Sequence, residues 1–208
     1  MQGRDELNSN LNTQTIVGEE EKLRAHFYLL MSRLLGAPVD GDLLSMIRNL
    51  KGDDTPIGLE VNALSALAQN ISIEAATEEY EALFIGVTQG ELIPFKSYYL
   101  TGFLNEKPLA ELRAHMDELG IEKSDNVAEP DDHIAFLLEM MHGLIVGTFD
   151  KPSTISEQNR FFENHIACWA PKFFEDLEAA ESAHLFASVG RIGKLFMEVE
   201  GEAFLMAA

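Results

Sequence analysis

A single cysteine among 208 residues excludes an intrachain disulfide and any metal or iron–sulfur site built from several thiolates. Cys168 stands among Phe161, Phe162, Trp169 and Phe173, a setting that predicts a buried and inert thiol rather than a nucleophile. Basic residues are also scarce, 15 Lys and Arg against 35 Asp and Glu, for a formal net charge of -20. Such a chain repels phosphate backbones and anionic lipid, so nucleic acid and membrane surfaces are poor partners by default. A basic peptide or protein segment fits better.

Long apolar runs are missing too. The most apolar stretch, residues 133–149, is broken by Glu139, His133 and His142, and falls short of a membrane span. The opening residues are polar and mixed in charge, where a secretory signal needs a basic start and an apolar run. The expectation is a cytoplasmic protein without an export signal. No Ser occupies a Gly-x-Ser-x-Gly elbow. The run from Gly190 to Lys194 lacks the glycine spacing and the hydroxyl residue of a phosphate loop, and reads instead as a close helix contact.

What is present is helical periodicity. With 46% hydrophobic residues the chain can fill a core. Apolar positions recur at three- and four-residue spacing, with no sustained period-two alternation. The expected fold is all-α, a single-domain helical bundle over residues 19–208 behind a flexible segment of residues 1–18. A first helix over residues 19–35 turns Leu23, Phe27, Leu30, Met31 and Leu34 inward, with three glutamates at its start. Asp40 caps a second helix. Thr55-Pro56 opens a third with Leu59, Leu64 and Leu67 inward, and Ser72 opens a fourth that Gly86 ends. Glu74, Glu78 and Glu81 form a carboxylate stripe on that fourth helix, beside Tyr80.

Between Gly86 and Pro108 the periodicity fails while aromatics persist, which marks a long functional connector. A helix from Leu109 to Gly120 and a polar linker follow. Pro130 is then expected at the first position of the central helix, with Asp131 and Asp132 in its first turn and Ile134, Leu137, Leu138, Met141, Leu144 and Ile145 on its buried face. Three more helices, over residues 156–168, 171–180 and 182–199, complete the chain.

Two Glu-x-x-His spacings, at 139–142 and 181–184, have the form of di-iron ligands. Glu139 and His142 fall opposite the buried stripe, whereas bundle ligands project inward. Glu181 and Ser182 suit the dipole and cap of a helix start. No metal and no cofactor is expected.

Several segments then coincide in order: Tyr80-Glu81-Ala82-Leu83-Phe84-Ile85-Gly86, Pro94-Phe95-Lys96-Ser97-Tyr98-Tyr99, Glu129-Pro130-Asp131-Asp132-His133-Ile134, and a later pattern of Phe161 or Phe162, His165, Trp169, Phe173 and Leu177. Together these resemble the TorD/DmsD family of molybdoenzyme chaperones over residues 19–199. The resemblance implies a cytoplasmic chaperone without catalytic residues. Such a chaperone binds the twin-arginine signal peptide and the apo form of a molybdopterin oxidoreductase of the dimethyl sulfoxide reductase type, and withholds it from export until the cofactor is inserted.

Carried over by position, Tyr80, Leu83 and Phe84 match the family's first motif, and Pro94, Phe95, Ser97 and Tyr99 its loop. Glu129, Pro130, Asp132 and His133 match the hinge associated with signal-peptide recognition. Tyr80 replaces a Trp found in some members, and Lys96 a small residue. A twin-arginine peptide joins guanidinium groups to an apolar stretch. Its reader needs acids for planar forks beside an apolar groove, and Asp132, Glu129 and the carboxylates of residues 78–81 are the expected acids. Flexible segments around residues 86–108 and 120–129 would permit exchange of helices in a homodimer. Two other readings remain from the residues alone: a metal- or nucleotide-dependent helical enzyme using His133, His142 and His184, and a general acidic adaptor.

Overall fold

The computed structural model describes residues 18–122 and 130–207. The expected flexible segment of residues 1–18 therefore lies, but for its last residue, outside the described residues, as do Glu129 and the linker before it. Among the described residues there is no strand, and ten α-helices follow one another. These are α1 (Glu19–Gly36), α2 (Gly41–Arg48), α3 (Pro56–Asn70), α4 (Ile73–Phe84), α5 (Lys96–Thr101), α6 (Lys107–Leu119), α7 (Ile134–Val146), α8 (Ile155–Phe162), α9 (Ala170–Ala179) and α10 (Leu185–Ala207). A π-helical turn, Glu163–Ala167, continues α8.

The caps are those the side chains dictate. Asp40, Thr55 and Ser72 accept from the backbone N–H groups of Leu43, Gly58 and Ala75, each satisfying a donor that the first helical turn leaves orphaned. Gly120, at φ 67°, closes α6 in the left-handed region, where glycine carries no steric cost.

α1 lies along α7 and α10 lies along α9 and α3, so the central helix and the last helix organise the two sides of the core. All six residues assigned to the buried face of α7 are indeed buried. On α1 and α3 the buried faces differ from expectation. Leu23 is 60% exposed, and Leu59 and Leu67 are also exposed, while Ala25, Tyr28, Met31 and Leu35 of α1 and Val61, Leu64 and Ala68 of α3 face inward. The buried stripe of each helix is rotated from the expected one, and these leucines are left outside it.

Three long-range polar ties pin the helices. Arg24 of α1 forms a two-pronged pair with the buried Glu200 of α10 at 2.7 Å on each prong, and Tyr28 donates to the same carboxylate at 2.9 Å. Burial and the Glu200 charge hold the Tyr28 phenol well above its ordinary pKa. His142 donates from Nδ1 to the Ala25 carbonyl at 2.9 Å, tying α7 to α1.

The run Gly190 to Lys194 is a close helix contact as expected. A methyl at Gly190 would meet the Glu178 backbone N at 2.6 Å, and one at Gly193 would fall 2.2 Å from the Phe174 ring. The start of α10 is a correction. It begins at Leu185, beyond Glu181 and Ser182, and its cap comes from α4: the buried Glu79 accepts from His184, Leu185 and Phe186. Cys168 is a further correction, being exposed.

Candidate functional site

The connector after Gly86 contains a short helix, α5, that periodicity did not reveal because six residues make barely two turns. Its start is joined to the turn before α7. Phe95 and His133 form an antiparallel bridge, flanked by Lys96 N–H donating to the Asp132 carbonyl at 3.0 Å and Ile134 N–H donating to the Pro94 carbonyl at 2.9 Å. The segments of residues 94–97 and 130–134 thus become one unit.

This arrangement overturns the expected helix start. Pro130 lies four residues before α7, Asp131 and Asp132 form a turn, and His133 is the N-cap, accepting from Ala135 N–H through Nδ1 at 3.2 Å. Nδ1 is therefore unprotonated. Phe95 and Phe136 pack against the imidazole at ring distances of 4.9 and 5.6 Å, and burial holds its pKa down to about 4. The ring is neutral at ordinary pH.

Asp132 is fully buried. Its Oδ2 accepts from Ser97 N–H at 2.7 Å, so it caps α5 from a distant part of the chain. Its Oδ1 and the Ser97 hydroxyl have no hydrogen-bond partner among the described residues. Asp132 therefore presents no open face to an arginine from outside in this arrangement.

Beyond α5, Tyr99 donates to Asp176 at 3.1 Å and packs on Trp169 and Phe173. Burial and the Asp176 charge raise its pKa. Tyr80 and Leu83 are core residues. Tyr80 donates to the Leu35 carbonyl at 3.3 Å, and with the half-buried Phe84 it packs on Phe186. Among the carboxylates of residues 78–81, Glu79 is consumed by α10 while Glu78 and Glu81 are exposed.

Lys96 departs from the family's motif, and nothing local in the sequence marks it as the buried residue it is. Its Nζ lies 3.0 Å from His165 Nδ1, and His165 Nε2 lies 2.8 Å from His115 Nδ1. A lysine ammonium can only donate, so His165 then carries its proton on Nε2 and donates onward to His115. Burial, and then the Lys96 charge, push His165 down to about 3, and burial also lowers Lys96. The π turn, an irregularity frequent at functional sites, places His165 between its two partners.

A cleft of about 450 Å³ opens between α6 and α7. Leu29, Met116, Phe136, Met140 and Phe149 give it an apolar floor, while Glu122, Asp131 and Glu139 stand in its wall and rim. Periodicity assigned Asp131 to a helix and so concealed its place here.

The three histidines of the enzyme reading, at 133, 142 and 184, hold separate structural posts. Among the described residues no three His, Cys, Asp or Glu side chains are gathered to hold a metal ion, and no helix is long and apolar enough to cross a membrane.

The model of the nitrate reductase delta subunit family matches residues 50–175, which include both joined segments and the Lys96–His165–His115 chain. A protein named chaperone protein TorD from Vibrio parahaemolyticus is 27% identical over 156 residues, covering 70% of this chain and 72% of its own. One of the same name from Aliivibrio fischeri is 27% identical over 214 residues, covering 91% and 97%. A solved structure described as a redox enzyme maturation protein from Archaeoglobus fulgidus superposes with a TM-score of 0.57 at 23% identity, over 91% of this chain and 99% of that one, and shares its fold. The relatives' shared name is that of a chaperone, a role without catalysis. With the family model spanning more than half of it, the chain belongs to the nitrate reductase delta subunit family, that of the TorD chaperones.

Proposed function

We propose that the protein is a cytoplasmic chaperone that binds the twin-arginine signal peptide and apo form of a molybdopterin oxidoreductase of the dimethyl sulfoxide reductase type, and delays its export until the cofactor is inserted. The observation that carries this reading is the cleft between α6 and α7, where an apolar floor meets three carboxylates in one wall and rim. The peptide's apolar stretch lies on Phe136 and Met140. Its guanidinium groups meet the acidic edge, where carboxylates offer the planar acceptor pairs that arginine matches.

Under this reading the matched residues divide by what they touch. Asp131, with Glu122 and Glu139, replaces Asp132 as the arginine-facing acid. Asp132, Ser97, Pro94 and Pro130 hold the joined segments in register, and His133 and Phe95 back the floor through Phe136. Tyr99 anchors α5 on α9. Tyr80, Leu83 and Phe84 shape α4, with Phe84 alone partly open. A homodimer by helix exchange would be compatible with this arrangement.

The test is a pull-down of associated precursor from native cytoplasm, followed by calorimetry with the precursor's N-terminal peptide. The expected result is a molybdoenzyme precursor bound through that peptide, with affinity at least about tenfold lower when both arginines become lysine. Equal affinity for the two peptides would turn the reading into that of a general acidic adaptor.

A further inference from the structure

The arginine-facing carboxylate of the cleft already holds an arginine. Arg113 of α6 donates from Nε to Asp131 Oδ2 at 2.7 Å. The two side chains are unequally placed: Asp131 is 5% exposed and Arg113 is 55% exposed. The acid is set into the cleft wall, and the guanidinium lies over it from the solvent side.

That asymmetry has a physical consequence. A carboxylate taken out of water is stabilised by a cation beside it and is destabilised without one, so Asp131 favours a state in which some guanidinium is present. The exposed partner gives up little when it returns to water, because its charge remains solvated. Exchange of one guanidinium for another is therefore nearly balanced, whereas exchange for a strongly hydrated ammonium loses the planar fork.

We propose that Arg113 is an internal occupant of the arginine-reading site, and that a guanidinium of the bound peptide takes Asp131 by displacing it. This inference rests on the peptide-binding reading above and adds a specificity device to it. Arg113 holds one oxygen of Asp131 while the cleft is empty. It also sets a threshold, since only a ligand that brings its own guanidinium restores what displacement removes. Arg113 is thus a positioning and gating residue, and Asp131 the contact.

The test is calorimetric titration of the full chain with a twin-arginine peptide. Arg113→Gln is expected to raise affinity about tenfold, and Arg113→Lys, which retains the charge, to raise it by less. Arg160→Gln removes one positive charge from an arginine paired elsewhere, at 3.3 Å from Glu118, and is expected to change affinity less than twofold. Asp131→Asn is expected to lower affinity at least tenfold and to abolish the gain from Arg113→Gln in the double variant.

Unchanged or weakened binding by Arg113→Gln, or an equal gain from Arg160→Gln, would overturn the displacement mechanism while leaving the peptide reading intact if Asp131→Asn still loses affinity. Failure of the unaltered protein to bind the peptide would overturn both. Arg113→Lys keeps the test open if the neutral variant does not fold.

Discussion

Two buried carboxylates do the same job in different ways. Glu79, on α4, spends both oxygens on the start of α10, accepting from His184 at 2.8 Å, Leu185 at 3.1 Å and Phe186 at 2.7 Å. Asp132 caps α5 with one oxygen only, and its other oxygen, like the neighbouring Ser97 hydroxyl, lacks a partner among the described residues. Helix starts attract carboxylates because their N–H groups are orphaned and the dipole is positive there. The difference lies in what remains. Glu79 is fully engaged at the start of α10, whereas only one oxygen of Asp132 is engaged among the described residues.

Removing each carboxylate is the strongest way to test the contrast. Glu79→Ala strands three backbone donors at the start of the longest helix and is expected to cost about 3–4 kcal/mol in denaturant unfolding, roughly twice the loss from Asp132→Ala. A larger loss at Asp132 would reverse the ranking of the two carboxylates as structural anchors.

Acid should separate the two regions next. Glu79 accepts from backbone N–H groups of α10 and its start, whereas beside Asp132 stands a buried imidazole, His133. Its pKa in the folded state is about 4, below the 6.5 of an ordinary imidazole, so the unfolded chain binds more protons between those values. The His133 contribution is fully present above about pH 6.5 and is lost as the pH falls toward 4, up to about 3 kcal/mol in all. Comparing unfolding of the wild type and His133→Gln at pH 7.5 and 5 measures it: the wild type should lose the extra stability and the variant should not.

The smallest effect sharpens the comparison. Ser97→Ala removes a buried hydroxyl that has no partner among the described residues, so stability should stay within about 0.5 kcal/mol of wild type or rise. A loss above 1 kcal/mol would mean that the hydroxyl is engaged after all.

How much of this was legible in the chain depends on the range of each interaction. Caps at Asp40, Thr55 and Ser72 lie within three residues of the donors they satisfy, so local pattern reveals them. Glu79 and Asp132 cap helices 105 and 35 residues away, and nothing local distinguishes them from solvated acids. Pro130 was misplaced for the same reason, because the bridge from Phe95 to His133 holds the chain extended where a proline alone suggests a helix start. Leu23 and Leu59 are exposed while Ala25 and Ala68 are buried, because the neighbouring helices and not side-chain size decide which face is covered. The motif residues were legible by resemblance, but their sequence did not show that Tyr80, Leu83 and Asp132 are buried while Asp131 lines the cleft.

Phe174 and Gly193 act like a pawl in a notch. An α-helix advances about 1.5 Å per residue and turns about 100° with each step, so sliding or rolling α10 along α9 by one position would replace the notch with Ile192 or Lys194 and jam against the ring. The last two helices can therefore neither slip nor rotate past one another. They form a fixed abutment at this contact.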